Sequence, residues 1–240
     1  TCVGIRRILP ADRAKSMAHL KTGDVVAGRY RVERLLGVGG MGTVFAARDG
    51  DTPRMVAIKV LNEVLRQHPT IPKRFLQEAK AASLLATPHA VKVEATGDLA
   101  DGTPFIVMEY LDGVDLATIV RGGGGRLPVE RVLCLADQIA AALQDAHARG
   151  VLHRDLKPEN TMLGEFGEVL VMDWGLALPT GDFHKSRNVA PPVSMGGTPA
   201  YMAPEMALGP VDRIGFHSDV YLLGAILYEI VTGQPPHAGK

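Results

Sequence analysis

"HRDLKPEN", residues 153–160, follows the apolar-leaning triplet Gly150, Val151 and Leu152. Its eight residues carry five charged or potentially charged side chains and one amide. That density is too polar for a core and too particular for an arbitrary loop. Asp155 is placed to accept a proton from an incoming hydroxyl, and Lys157 to steady a transferred phosphoryl group. Asn160 offers a side-chain oxygen to a divalent cation. A purely structural loop is the alternative reading.

Two stretches upstream and one downstream bear on that choice. "GVGGMGTV", Gly37 to Val44, has the spacing G-x-G-x-x-G-x-V and lies between two alternating segments, "YRVERLL" and "TVFAAR". A dinucleotide fingerprint would join a strand to a helix, so this is a hairpin bend. It is either a tight turn or a loop whose amides approach phosphate oxygens without Cβ obstruction. Lys59 ends the apolar strand "VAIK". It reads as a solvated strand end, or as an ammonium aimed at phosphate by a carboxylate on the next helix, Glu78. Downstream, "VMDWGLAL", 171–178, sets Asp173 directly after an apolar run and beside the chain's one tryptophan, Trp174.

Taken together these stretches resemble a eukaryotic-type protein kinase, specifically the serine/threonine kind found in bacteria. The resemblance runs from about Tyr30 to the last residue, with the motifs in family order. It implies an α+β, two-lobed protein kinase fold. The N-lobe would be small and mostly β with one helix, and the C-lobe mostly helical and incomplete at its C-terminus. It implies ATP and Mg²⁺ as cofactors, with Mn²⁺ as a substitute, and protein serines and threonines as substrates.

Roles carry over position by position. Gly37, Gly39, Gly40 and Gly42 fall in the phosphate-covering loop, Lys59 in the third strand and Glu78 in the partner helix. Asp155 falls on the catalytic base, and Asn160 and Asp173 on the two magnesium positions. "MEYL" would be the hinge, with Met108 as gatekeeper and the backbone of Glu109 and Leu111 facing the adenine edge. Asp115 would reach the ribose hydroxyls, and Val44, Ala57 and Met162 would sandwich the base. Asp219 resembles the aspartate that braces the catalytic-loop backbone, while His147 and His217 read as structural. "GTPAYMAPE", 197–205, resembles the substrate-docking loop, with Thr198 touching Asp155 and Lys157. Lys157 and this loop match the serine/threonine branch. Arg154 implies control by a phosphate on the activation segment, for which Ser194, Ser186 and Thr180 are the candidates. Trans-autophosphorylation would call for a dimer. The competing reading is a pseudokinase or nucleotide-binding scaffold without turnover, but such proteins usually lack one of the positions filled here.

Periodicity organises the rest. Residues 1–28 read as a flexible lead-in, 29–111 as the N-lobe with five strands and one helix, and 112–240 as the C-lobe. "PKRFLQEAKAASLLA" places Phe75, Ala79, Ala82 and Leu85 or Ala86 on one helical face. "LPVERVLCLADQIAAALQDAHARG", 127–150, is a helix that begins at a proline and ends at a glycine. "VYLLGAILYEIV", 220–231, is apolar nearly all round and is expected deep in a core.

Composition narrows the classes. The 26 basic and 26 acidic side chains cancel, which argues against a nucleic-acid binder held by bulk charge. Cys2 and Cys134 fit no metal spacing and suggest a reduced, cytoplasmic setting. No stretch reaches the roughly eighteen apolar residues of a membrane helix, and no apolar run near Arg6 and Arg7 makes a signal peptide. Without an initiating methionine the chain reads as a piece of something longer, which could be membrane-anchored beyond residue 240.

Two departures from the family pattern stand out. Trp174 occupies a position that is usually phenylalanine, and the small Ala82, four residues after Glu78, would conserve volume against it. The helix whose arginine normally pairs with Glu205 is missing, so Glu205 is expected to lack its partner at a cost of roughly 3–5 kcal/mol. The 220–231 helix is expected to show an apolar face that favours association.

Overall fold

In the computed structural model the residues described are 20–85, 87–174, 178–179 and 196–237. They divide into two compact units. One holds residues up to 79 together with Lys92–Leu111, and the other holds Lys80–Val91 together with residues from 112 on. Lys80–Val91 joins the second unit although it precedes β5 of the first in the chain. The reason is backbone pairing: Val171 donates to His89 O (2.8 Å), Val91 donates to Val171 O (3.3 Å), and Ala90 bridges Val171.

The first unit is an antiparallel sheet in the order β1-β2-β3-β4-β6-β5. Its strands are β1 (Val25–Val26), β2 (Tyr30–Val38), β3 (Gly42–Asp49), β4 (Met55–Leu61), β5 (Val93–Asp98) and β6 (Pro104–Glu109). Two helices, α1 (Glu63–Arg66) and α2 (Ile71–Ala82), lie between β4 and β5. The sheet thus has one strand, and the unit one short helix, more than the sequence suggested. β1 corrects the flexible lead-in for the part that is described. Val26 is buried beside Tyr30 and Val32, and Leu20 packs on the same cluster, so the apolar side chains of this segment complete a core.

Alternation along β4 decides what faces where. Val56, Ile58 and Val60 join Phe45, Ala47, Phe105 and Val107 in one core. Ala57, Lys59 and Leu61 take the other face. There Leu61 packs with Phe75 and Ala79 of α2 and with Ile106, and Met108 lies against them. Lys59 is therefore delivered to the helix-bearing face by strand periodicity alone.

In the second unit the long helix α4 (Val129–Ala148) buries Val132, Leu135, Ile139, Ala142, Leu143 and Ala146, close to the face read from sequence. It is preceded by β7 (Gly113–Asp115) and α3 (Leu116–Gly122). After it come β8 (Val151–Leu152), a 3₁₀ turn (Pro158–Asn160), β9 (Thr161–Gly164), β10 (Val169–Val171) and β11 (Leu178–Pro179). The order β10-β9-β7 makes a small sheet, and β11 pairs β8. Helices α5 (Pro204–Leu208) and α6 (Phe216–Thr232) follow, with α6 packed on α4.

α6 lies partly in the core and partly shows the apolar face expected from the sequence. It buries Leu222, Ala225, Ile226 and Ile230 but leaves Val220, Tyr228 and Val231 exposed, because the described residues cover only one of its faces. Gly233 ends it at φ 87°, and its Cα faces the Gly125 carbonyl so closely that an added Cβ would sit 3.0 Å from that oxygen. Among the described residues no helix is long and apolar enough to cross a membrane.

Candidate active site

The glycine-rich bend joins β2 to β3 as a tight turn closed by the Gly39 amide on Gly42 O (2.8 Å). Two of its glycines answer different needs. A Cβ on Gly42 would lie 2.6 Å from Val60 O, so close strand approach demands its absence there. At Gly40 an added Cβ meets nothing within 4 Å, so close packing does not demand a glycine there.

Below the bend, register pairs Val44 with Lys59, Lys59 with Ile106, and Ala57 with Met108. Directly paired residues of antiparallel strands point to the same face. Val44, Ala57, Lys59 and Met108 therefore line one side of the sheet. Lys59 Nζ reaches both Glu78 oxygens, at 2.7 and 2.8 Å, with the two side chains only 12% and 8% exposed. A bidentate, largely desolvated contact fixes the ammonium far better than a surface pair would. The Glu109 amide donates to Lys92 O, and its carboxylate accepts from the Lys92 amide. Leu111 closes this unit.

The second unit assembles its own polar groups around residues 153–160. Asp155 Oδ1 accepts from the Thr198 hydroxyl (2.8 Å), which in turn accepts from Lys157 Nζ (2.8 Å). Lys157 Nζ also lies 3.1 Å from Asp155 Oδ2. Asn160 Nδ2 donates to the Asp155 carbonyl (2.8 Å) and approaches its Oδ2 (3.3 Å). With its NH₂ so committed, the Asn160 amide oxygen is left as a hard donor suited to Mg²⁺. Asp173 is exposed, and the Met172 amide before it donates to Asn160 O (2.8 Å). The donor chemistry of Asn160 and Asp173 thus fits a magnesium ion.

Five of the eight residues of this stretch are buried, contrary to its reading as too polar for a core. His153, Arg154 and Asn160 are all inside. Asp219, wholly buried, makes that possible by accepting from the His153 amide (2.9 Å), the Arg154 amide (2.9 Å) and His147 Nε2 (2.8 Å). His153 Nδ1 accepts from the Asp155 amide (3.2 Å), so its hydrogen sits on Nε2 and is donated to Met172 O (3.0 Å). Arg154 and Asp173 hold left-handed backbone, φ 68° and 59°. Non-glycine residues adopt that region at a cost that surrounding contacts must offset. Nothing in the residue types announced this strain.

Trp174 is 1% exposed, packs its ring 4.5 Å from that of His153, and donates Nε1–H to Val171 O (3.3 Å). The indole thus uses its polar edge as well as its bulk. Trp174→Phe is expected to cost about 1–2 kcal/mol, through the lost hydrogen bond and lost packing. Thermal unfolding should show a midpoint a few degrees lower, and an unchanged midpoint would remove the indole's structural role.

Other expected positions fall as follows. Asp115 caps α3, accepting from the Thr118 amide and hydroxyl (2.8 Å each), and pairs across the sheet with Met162. Ser194, Ser186 and Thr180 lie outside the described residues. Glu205 is not left alone: Ser218 Oγ donates to it at 2.6 Å and His217 Nε2 lies 3.5 Å away. Burial works to raise the pKa of this carboxyl, but the Ser218 hydroxyl, its own amide and His217 prevail and hold it below the usual range. Tyr201 donates to Glu229, and burial followed by that carboxylate pushes its phenol far above normal.

His147, read from the sequence as structural, adds a third donor to Asp219. Sequence reading missed one contributor, His237. His237 clips the 200–202 loop, its amide donating to Ala200 O (3.2 Å) and its Nε2 lying 3.1 Å from Met202 O and 2.9 Å from Tyr221 Oη. A histidine after two prolines carries no periodic signal that could have marked it.

Comparison with known proteins places these features in context. The family described as "Protein kinase domain" matches residues 30–240. The chain is 41% identical over 217 residues to serine/threonine-protein kinase PknB of Mycobacterium tuberculosis, covering 89% of this chain and 34% of that protein. It is 41% identical over 218 residues to serine/threonine-protein kinase pkn3 of Myxococcus xanthus, covering 89% and 39%. It therefore spans between a third and two fifths of the length of these relatives. The crystal structure of the Mycobacterium tuberculosis PknI kinase domain superposes with a TM-score of 0.71 at 31% identity, covering 92% of this chain and 80% of that one.

Proposed function

Since the chain belongs to the protein kinase family, we propose that it transfers the γ-phosphoryl group of Mg-ATP to serine and threonine hydroxyls of proteins. One observation carries the reading: a single carboxylate, Asp155, is held by Lys157, Asn160 and Thr198 at once. Asp155 orients the incoming hydroxyl and takes its proton. Lys157 offsets charge on the moving phosphoryl oxygens, and Lys59, aimed by Glu78, does so for the nucleotide phosphates. Bound Mg-ATP supplies the transferable group and a cation that neutralises developing charge. Asn160 and Asp173 are the residues to hold that cation.

The adenosine end falls to Val44, Ala57, Met108, Met162, the backbone of Glu109 and Leu111, and Asp115, whose capping role leaves its oxygens further lone pairs. The relatives' serine/threonine activity and the Lys157–Thr198 contact support the same hydroxyl class here. Autophosphorylation in trans within a dimer, on Thr180, Ser186 or Ser194, is part of the proposal. So is a cytoplasmic location of the kinase portion.

The test is incubation of the full-length protein with γ-labelled ATP, Mg²⁺ and a generic protein acceptor. Label is expected in phosphoserine and phosphothreonine, and should vanish on chelation of the metal. A protein that binds ATP yet labels neither itself nor the acceptor is the pseudokinase instead.

A further inference from the structure

Asn62 follows β4 and precedes the one-turn helix α1. An asparagine there looks like an N-cap, but its side chain caps nothing. Asn62 is 3% exposed, and its side chain turns the other way, into the glycine-rich bend. Nδ2 donates to Gly39 O (3.2 Å) and Gly40 O (3.3 Å), while Oδ1 accepts from Thr43 Oγ1 (3.2 Å). Its own amide donates to Met41 O (3.0 Å). Two carbonyl acceptors on one side and a hydroxyl donor on the other fix which end of the amide faces the bend.

Planar trans geometry turns these contacts into a statement about the neighbouring donors. A carbonyl and the N–H of the next residue lie on opposite sides of one rigid peptide plane. Drawing Gly39 O and Gly40 O toward Asn62 therefore turns the Gly40 and Met41 amides away from it. Neither amide donates to any acceptor among the described residues, and the space over Gly40 is open. Successive outward N–H groups of this kind make an anion-binding concavity.

We propose that Asn62 is a positioning residue for nucleotide binding: it anchors the bend from behind and thereby aims the Gly40 and Met41 amides at phosphate oxygens. The proposal rests on the kinase reading above and adds a residue outside the family motifs quoted from the sequence. Thr43, by holding Oδ1, keeps the amide from rotating away.

The experiment compares Mg-ATP with adenosine, which shares the base and sugar but lacks phosphates. Calorimetric dissociation constants are measured for full-length parent, Asn62→Asp, Asn62→Leu and Thr43→Val, with melting curves alongside. Asn62→Asp keeps the acceptor for Thr43 and removes the donors, so its affinity for Mg-ATP should fall about tenfold while adenosine changes less than twofold. Asn62→Leu should behave alike, and Thr43→Val should show a two- to threefold loss confined to Mg-ATP. If Asn62→Leu does not fold, the other two variants decide. Folded variants matching the parent for Mg-ATP, or losing adenosine and Mg-ATP equally, overturn the positioning role. A parent that binds neither ligand sinks the kinase reading as well, so the two failures are distinct.

Discussion

Asp155→Asn is expected to lower kcat by about 10²–10⁴ and to leave the dissociation constant for Mg-ATP within about twofold of the parent. The substitution keeps the size of the side chain, and an amide oxygen can still accept from the Thr198 hydroxyl. What it removes is the second acceptor. The carboxylate oxygen that now faces Lys157 Nζ and Asn160 Nδ2 becomes an NH₂ group pointing at two other donors. Proton acceptance is lost, and Lys157 is released from its place. Lys59, proposed above to act on the nucleotide phosphates, and Glu78, which aims it, are not touched by the substitution. Single-turnover phosphoryl transfer at saturating Mg-ATP isolates the chemical step. A loss under tenfold would assign proton acceptance to another group.

The sequence was legible where chemistry is carried by consecutive residues. The 153–160 stretch, the glycine spacing and the position of Lys59 each combine residue type with local pattern, and strand alternation alone sends Lys59 to the face occupied by α2. It was illegible where a contact joins distant positions without a shared period. Asn62 looks like a helix cap and serves a loop some twenty residues earlier in the chain. His147 looks like a polar residue near a helix end, yet it donates to a carboxylate 72 residues away. The expectation about Glu205 failed for a related reason. It considered only a charged partner, whereas the hydroxyl of Ser218, brought back by the first turn of α6, satisfies the carboxylate directly. In α6 periodicity reports apolar faces without reporting what covers them, and one face is buried while Val220, Tyr228 and Val231 are exposed.

Asp219→Asn should produce the largest loss of stability, about 3–5 kcal/mol, or a melting midpoint lower by roughly 10 °C for a domain of this size. The carboxylate is fully buried and each of its oxygens accepts from a backbone amide, with His147 sharing one of them. An asparagine can present only one oxygen, so either the His153 or the Arg154 amide must face an NH₂ group in a site closed to water. Such a buried donor without an acceptor loses its full solvation. Arg154 adds to the cost, since its left-handed backbone is maintained only while its amide is held. Activity should fall with stability, because the loop bearing Asp155 begins at these two amides. A double-mutant cycle with His147→Ala separates the local effect from general damage. His147→Ala should cost about 1–2 kcal/mol in the parent and much less beside Asp219→Asn, where its acceptor is already compromised. Fully additive losses would mean that His147 stabilises the domain by a route other than this carboxylate.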